Sequence, residues 1–250
     1  HLLSRRQRQM CIRDSPSIDT FNKMTADCED AVVSITLAPE LDGSLELIQY
    51  LSAKNINCSL GHTKATYEET MKAIDYGANH STHLYNAMTP LNHRLPGVVG
   101  ALFDSPKISI ETISDGIHIS YPALRIAYKQ KTPDKSILVT DAMMACCMPD
   151  GNYSLGGQDV IVKDNAARIK TGSLAGSVLT LDRAIRNVYN NCNMPLYEVV
   201  KMATYNPAKF CNVSDHKGLI KEGYDADLVL FDENINVRQV FVKGKSVFNA

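Results

Sequence analysis

Short apolar runs rich in β-branched residues alternate with amphipathic stretches through the first half of the chain. The runs AVVSITL at 31–37 and INCSL at 56–60 have the length and composition of buried strands. Thr66, with Glu69 three residues later, forms the capping-box signature of a helix that starts at Tyr67. This alternation predicts βα units with parallel strands. Further strands are predicted at 78–82, 108–114 and 136–140, and helices at 44–54, 121–131, 180–191 and 196–204.

The pattern changes after Gly151. The stretch YSLGGQDVIVKDNAARIK is hairpin-like, and the segments DADLVLFD, VRQVFVKG and KSVFNA have the pattern of short strands without helices. Five strands precede the change, whereas a closed (β/α)₈ barrel needs eight. The sequence therefore predicts an α/β fold: a TIM-type barrel, incomplete at its N-terminus, with a small β-sandwich domain. The expected domains are a leader at 1–15, the barrel at 16–210 with a β insertion near 151–170, and the C-terminal part of the sandwich at 211–250.

The leader HLLSRRQRQMCIRDS is rich in arginine and has no periodic apolar face, unlike the rest of the chain. One interpretation is a basic arm that binds a polyanion. The interpretation we favour is a segment foreign to the protein, because it resembles translated adapter sequence. The natural start of the protein is therefore expected to differ from residue 1.

Composition and charge exclude several functional classes. A total of 26 Lys and Arg against 27 Asp and Glu leaves a net charge of −1, so no general field recruits nucleic acid or an anionic membrane. No apolar run reaches the roughly 18–20 residues that span a bilayer, and a cytoplasmic protein is expected. The 7 cysteines, an odd number in 250 residues, favour reduced thiols. Cys146 and Cys147 are adjacent and lack metal-finger spacing.

Polar residues gather where the predicted strands end. In a barrel these ends share the face at which the βα loops converge and active sites lie. His62 and His83 are about one βα unit apart, so both imidazoles could reach one Zn²⁺ or Fe²⁺ ion. The alternative is that each is a hydrogen-bonded structural histidine. The residues at strand ends are Glu40, His62, His83, Asp115, His118 and Asp141.

Three further features have candidate roles. Asp141 ends the apolar strand ILVT, where partial burial and a nearby cation would tune it as a proton shuttle; a turn or N-cap aspartate is the alternative. Arg94 and His118 are candidate phosphate ligands, although His93 could do the same work and each is otherwise a solvated loop residue. The stretch TGSLAGS at 171–177 could bring backbone amides to a ligand, but a plain loop before the next helix explains it equally well.

Several segments, taken in order, carry a family resemblance. They are TLAPE at 36–40, GHTKATYEE at 61–69, THLYNAM at 82–88, DGIH at 115–118, VTDA at 139–142, SLAGS at 173–177, MATYNPA at 202–208 and GLIKEGYDADLVLFD at 218–232. Together they resemble N-acetylglucosamine-6-phosphate deacetylases of the amidohydrolase superfamily over about residues 16–250. So many segments in one order are difficult to obtain by chance.

The resemblance implies hydrolysis of the acetamide of N-acetylglucosamine 6-phosphate to glucosamine 6-phosphate and acetate, in amino-sugar metabolism. It implies that His62 and His83 bind a divalent metal ion, Zn or Fe, and that Asp141 is the catalytic acid/base. His118 would help to stabilise the oxyanion, and a homodimer is expected. The residues that would contact the sugar phosphate are Asn86, Ala87, Arg94, Asp115, Gly116, Ile117, His118, Leu174, Ala175 and Gly176.

One departure from the family concerns the metal site. The family's metal-binding glutamate belongs to an HLEGP-type motif upstream of TLAPE, and this sequence has no such motif. Glu40 is a replacement carboxylate on chemical grounds, although its family counterpart is not that ligand. The alternatives to the deacetylase are another metal-dependent amidohydrolase, acting on a cyclic amide or a different acetylated sugar, and a non-catalytic sugar-phosphate-binding remnant.

Overall fold

The computed structural model describes residues 16–250. The predicted leader at 1–15 lies outside the described residues, so its foreign origin stays a prediction. Contacts divide the described residues, after Glu111, into two compact units. The domain boundary predicted at residue 210 also stays a prediction.

The first unit is built on parallel strands that alternate with helices. Its strands are β1 (Ser34–Leu37), β2 (Asn57–Leu60), β3 (His80–Ser81) and β4 (Ser109–Ile113); its helices are α1 (Ile18–Thr25), α2 (Ser44–Ala53), α3 (Tyr67–Asp75) and α4 (Gly97–Asp104). Each strand pairs in parallel with the next, with Ser59 opposite His80 and His80 opposite Ser109. Strand β4 crosses the boundary between the units. The predicted α/β class and its βα units are confirmed.

The helices of this unit bury one apolar side against the sheet. Ile48 and Leu51 of α2, Leu60 of β2, Leu102 of α4 and Ile110 of β4 are all inaccessible to solvent. Burial of a side chain of this size contributes roughly 1.5–3 kcal/mol. The apolar core therefore holds the carboxyl ends of the strands at fixed positions beneath the loops that follow them.

The helices of this unit differ in how clearly the sequence predicts them. The capping box is confirmed, because Thr66 Oγ1 accepts from Glu69 N at 3.2 Å and Thr66 N donates to Glu69 Oε2 at 2.8 Å. Helices α1 and α4 were both absent from the prediction, and for α4 the reason is physical. Its sequence, GVVGALFD, is buried from Gly97 to Leu102, so it has no polar face and no amphipathic period.

The second unit contains strand β5, two antiparallel sheets and four helices. Its strands are β5 (Ser136–Val139), β6 (Gly151–Leu155), β7 (Gln158–Lys163), β8 (Ala166–Ile169), β9 (Leu174–Ser177), β10 (Leu228–Phe231), β11 (Val237–Val242) and β12 (Lys245–Asn249); its helices are α5 (Tyr121–Lys131), α6 (Leu181–Asn191), α7 (Leu196–Ala203) and α8 (Tyr205–Phe210). One sheet has the order β6-β7-β8-β9 and the other β10-β11-β12. Helices α5 and α6, at 11 residues, are the longest in the described part of the chain. No helix there is long and apolar enough to cross a membrane.

The segment TGSLAGS is partly a strand, and the plain-loop interpretation is wrong for residues 174–177. Leu174 pairs with Arg168 and Ser177 with Ala166, with a register shift between them. Met143, Val160, Val162 and Ala167 form the buried core beneath this sheet. The short and small side chains of SLAGS gave no alternating pattern, so the backbone pairing could not be read from the sequence.

Gly61, immediately before His62, lies where β1, β2 and β3 are too close for a side chain. A Cβ atom at this position would lie 2.9 Å from Thr82 Cβ and 3.0 Å from Thr36 Cγ2. We expect Gly61→Ala to lower the free energy of unfolding by about 1–3 kcal/mol through overpacking. Urea denaturation measures the change.

Gly151→Ala is the matched control, because a Cβ atom there meets nothing nearer than 3.7 Å and neither glycine has a positive φ. The control should change the free energy of unfolding by less than about 0.5 kcal/mol. Equal losses in the two variants would contradict the close approach at Gly61.

Candidate active site

His62 and His83 occupy equivalent positions, each two residues beyond the end of its strand, β2 or β3. Both adopt the left-handed backbone conformation, with φ of 50° and 35°. Their Nε2 atoms are 2.9 Å apart and their rings meet edge to face at 4.6 Å between centroids. The predicted convergence of these two imidazoles is therefore observed in the first unit.

The donor set of this histidine pair fits a divalent metal ion. Neutral imidazole nitrogens suit Zn²⁺ and Fe²⁺, and two nitrogens 2.9 Å apart are both within reach of one ion at Zn–N distances of about 2.0–2.1 Å. His83 is buried and its Nδ1 atom has no hydrogen-bond partner among the described residues. Among residues 16–250, no three His, Cys, Asp or Glu side chains form a metal-binding group. The pair therefore accounts for two ligands.

Glu40 braces the loop that carries His62. Its carboxylate accepts a hydrogen bond from Thr63 Oγ1 at 2.5 Å and another from Lys64 N at 2.6 Å. Within the described residues it does not join the two histidines in a metal-binding group. Its role as a replacement metal ligand is therefore not supported, because both its oxygens hold the loop.

The loops that follow β2 and β3 are tied together by hydrogen bonds. Thr63 N donates to Ala87 O at 3.0 Å, and Thr89 Oγ1 donates to Ala65 O at 2.7 Å. The Asn86 side-chain amide donates to Leu84 O at 3.1 Å, within its own turn. This cross-linking orders the predicted substrate residues Asn86 and Ala87 on the same pair of loops as the histidines.

Arg94 and His93 lie in the loop before α4, and both are exposed. The backbone N–H of Arg94 donates to Asn92 Oδ1 at 3.1 Å, which shapes the turn. Within residues 16–250 the Arg94 guanidinium forms no ion pair. An exposed, planar guanidinium without an ion-pair partner in this part of the chain is chemically suited to bind a phosphate.

In the second unit, Asp115 organises the DGIH turn after β4. Its Oδ1 atom accepts from Ile117 N at 2.8 Å and from His118 N at 2.7 Å, and its Oδ2 atom is 2.6 Å from His118 Nδ1. Because a carboxylate only accepts hydrogen bonds, Nδ1 of His118 carries the hydrogen and Nε2 faces away from Asp115. Gly116 has φ of 78°, and a Cβ there would lie 2.8 Å from the Tyr121 ring. The turn therefore requires glycine.

Asp141 lies two residues beyond the end of β5, with φ of 48°. Its carbonyl accepts from Ser177 N at 2.9 Å, and Met143 N donates to Ser177 O at 2.8 Å. A Cβ atom on Gly176 would lie 3.4 Å from Asp141 O. Strand β9 thus brings the predicted substrate residues Leu174 to Gly176 beside Asp141. Asp141 is exposed, and the expected partial burial is wrong because the residue stands in a turn above its strand.

Comparison with known proteins gives the family. The sequence matches the amidohydrolase family over residues 13–247. The chain belongs to the amidohydrolase family. Amidohydrolases are generally metal-dependent, in agreement with the chemistry of the histidine pair.

Three relatives of this amidohydrolase carry more specific names. It is 43% identical to an N-acetylglucosamine-6-phosphate deacetylase of Lysinibacillus sphaericus over 92% of the chain and 59% of the relative. It is 36% identical to an N-acetylgalactosamine-6-phosphate deacetylase of Escherichia coli O157:H7, over 91% of the chain and 60% of the relative. A solved N-acetyl-D-glucosamine-6-phosphate deacetylase of Mycobacterium smegmatis, a mutant in complex with N-acetyl-D-glucosamine-6-phosphate, matches with a TM-score of 0.89 and 35% identity, covering 94% of this chain and 62% of that one. The amidohydrolase chain thus spans about three fifths of each relative.

Two polar residues beside the histidine pair, the buried His80 and the half-buried Glu111, were absent from the predicted site. His80 Nε2 is 3.0 Å from Glu111 Oε1, and the other oxygen of Glu111 accepts from His83 N at 3.4 Å. A signal was available, since Ser109 and Glu111 alternate with an apolar residue in β4 and so point to one face of the sheet.

Acidification should weaken the DGIH turn of this amidohydrolase. Burial by itself raises the pKa of Asp115, but hydrogen bonds from the His118 ring and from the N–H groups of His118 and Ile117 outweigh it, so the pKa lies below the ordinary 3.8. When the pKa of a carboxyl group is lower in the folded than in the unfolded state, its charge stabilises the fold. This stabilisation is complete above the unfolded-state pKa and is lost as the pH falls through the folded-state pKa. We expect Asp115→Asn to lower the free energy of unfolding by about 1.5–3 kcal/mol at neutral pH. The loss should become progressively smaller below a pH of about 4.

Urea denaturation at pH values from neutral down to acid measures whether the free energies of unfolding of wild type and Asp115→Asn approach each other. Asp42→Asn, at an exposed position, is the control and should leave the free energy of unfolding within about 0.5 kcal/mol. A constant difference between wild type and Asp115→Asn at every pH would contradict the role of the Asp115 charge.

Proposed function

We propose that this protein hydrolyses the acetamide of N-acetylglucosamine 6-phosphate, with glucosamine 6-phosphate and acetate as products. The observation that carries the proposal is the convergence of the His62 and His83 Nε2 atoms at 2.9 Å, in a chain that is 43% identical to a deacetylase of this name. The chain spans 59% of the length of that relative.

His62 and His83 are the proposed ligands of a divalent metal, Zn²⁺ or Fe²⁺. A bound divalent ion would polarise the acetamide carbonyl and make water more acidic. Burial of His83 keeps its ring away from bulk solvent, and the left-handed backbone of both residues is the kind of strain that clusters at active sites. Both features support a ligand role over that of a structural histidine.

Asp141 is the proposed acid/base. Its carboxylate would accept a proton from the attacking water, and it would return that proton to the departing amine as the C–N bond breaks. The exposure of Asp141 supports this role, because the carboxylate is accessible to water, and β9 fixes its carbonyl and hence the turn that carries it.

The sugar phosphate is the proposed ligand of the loop residues. Arg94 would pair with the phosphate, and His118 would contact the substrate through Nε2, since Asp115 already occupies Nδ1. Asn86, Ala87, Gly116, Ile117 and the segment Leu174 to Gly176 complete the proposed set. A homodimer and a cytoplasmic location stay predictions.

A galactose-configured substrate is the second candidate. The 36% identity to an N-acetylgalactosamine-6-phosphate deacetylase favours it, since both activities occur among relatives at similar distance. The two sugars differ at one hydroxyl. The identity of the preferred sugar therefore depends on side chains that contact this hydroxyl, and parallel assays with both substrates will distinguish them.

Metal binding is the first test of the proposal. We expect His83→Gln to weaken Zn²⁺ binding by at least tenfold, because it removes one of the two nitrogen donors. Equilibrium dialysis with metal analysis measures it. His216→Gln is the matched control, since His216 is a half-exposed surface histidine paired with Asp215 and should bind metal as the wild type does. Equal affinity in the two variants would contradict the metal site.

Acetate release is the second test. We expect Asp141→Asn to lower kcat by about 10²–10⁴-fold on the preferred sugar phosphate, with Zn²⁺ or Fe²⁺ added. Asp159→Asn, which removes only a surface ion pair with Lys170, should keep full activity. The assay uses this chain and also the product of the complete reading frame that contains it. If neither releases acetate while folded and metal-loaded, the deacetylase proposal falls and a different amidohydrolase reaction or a binding role replaces it.

A further inference from the structure

We infer that Glu111 is a positioning residue for His83, and that His80 holds Glu111 in this role. The inference rests on the proposed metal-dependent function, because it concerns the orientation of a proposed metal ligand. It assigns a role to a histidine–carboxylate pair, the buried His80 and the half-buried Glu111, that lies outside the sequence motifs.

The His80 ring is held on both nitrogens. It is fully buried, its Nδ1 atom is 2.6 Å from Ser109 Oγ, and its Nε2 atom is 3.0 Å from Glu111 Oε1. Ser109 Oγ is in turn 3.1 Å from Asn79 O. Since a carboxylate only accepts hydrogen bonds, Nε2 of His80 is the donor to Glu111. The ring therefore has a single orientation, set by β3 and β4.

Glu111 connects this fixed ring to the backbone of His83. One carboxylate oxygen accepts from His80, and the other accepts from the His83 N–H at 3.4 Å. On its other side, the His83 carbonyl accepts from Asn86 N at 3.0 Å. His83 is thus held at both its N–H and its carbonyl, and these contacts stabilise a left-handed φ of 35° that is unfavourable for a non-glycine residue.

The backbone of His83 determines where its ring points. A rotation about φ or ψ would move Nε2 away from the His62 Nε2 atom, 2.9 Å distant. Loss of an outer-shell partner of a metal ligand typically lowers metal affinity by about 10–100-fold. A pair that only fills the core would instead affect stability and leave metal affinity unchanged. The two roles therefore differ in a measurable quantity other than activity.

The test is Glu111→Gln, which keeps the size and shape of the side chain. His80 and His83 donate to different oxygens of Glu111, and a glutamine has an NH2 group in place of one of them, so one N–H donor would face another donor. We expect its dissociation constant for Zn²⁺, measured on the full chain by competition with a chelator, to rise about tenfold. We also expect the His83 amide to exchange its hydrogen faster in the metal-free protein. Glu46→Gln, an exposed glutamate in α2, is the matched control and should change neither quantity.

His80→Gln is the second variant, and it provides the measurement if Glu111→Gln does not fold. It should weaken Zn²⁺ binding in the same way, and the double variant should be no weaker than the single ones, because His80 acts through Glu111. Wild-type affinity in both single variants would overturn the positioning role and leave the proposed function intact. Absence of Zn²⁺ binding by the wild-type chain would overturn the metal site itself, and the positioning role with it.

Discussion

One backbone constraint recurs at the candidate residues of both units, a left-handed turn two residues beyond the end of a strand. His62, His83 and Asp141 all stand two residues beyond a strand end, with φ between 35° and 50°. For a residue with a Cβ this conformation costs roughly 1–2 kcal/mol, so each turn needs compensating contacts. For His83 these include the bonds to Asn86 and Glu111, and for Asp141 the bond from Ser177. The chemistry-bearing side chains are held in position by their loops' hydrogen bonds as much as by the sheet.

Much of the fold followed from the sequence pattern, and two of the missed elements have a common physical cause. Strands β1 and β2 were predicted from short apolar runs rich in β-branched residues, helix α2 from its amphipathic period, and helix α3 from that period and its capping box. Helix α4 and strand β9 were not, since α4 is buried all round and β9 is built from small residues whose pairing is entirely backbone. Sequence periodicity reports contrast between faces, and these two elements have none.

The site was predicted in part for a related reason. The meeting of His62 and His83 followed from their separation by one βα unit, and the structure has their Nε2 atoms 2.9 Å apart. The position of Glu40 did not follow, because a carboxylate at a strand end can bind a metal or brace a loop with the same donors and acceptors. Its bonds to Thr63 and Lys64 show bracing. Residue type and spacing indicate which side chains could bind a metal ion. Whether such a side chain binds a metal or accepts hydrogen bonds from a loop depends on tertiary contacts a few ångströms away.

In the second unit, a buried hydroxyl network supports the DGIH turn from below. Tyr128, whose pKa is raised well above its ordinary value by burial, has its hydroxyl 2.8 Å from Thr112 Oγ1 and 3.0 Å from Ser114 Oγ. The Asn187 side chain of α6 donates to Ser114 O at 3.0 Å. Asp115 therefore begins its turn from a fixed residue, and its two oxygens take three hydrogen bonds from the turn itself. With Nδ1 of His118 committed to Asp115, Nε2 is the ring nitrogen that can face a ligand. Any contact of His118 with a substrate thus depends on the hydrogen bond through which Asp115 orients the ring.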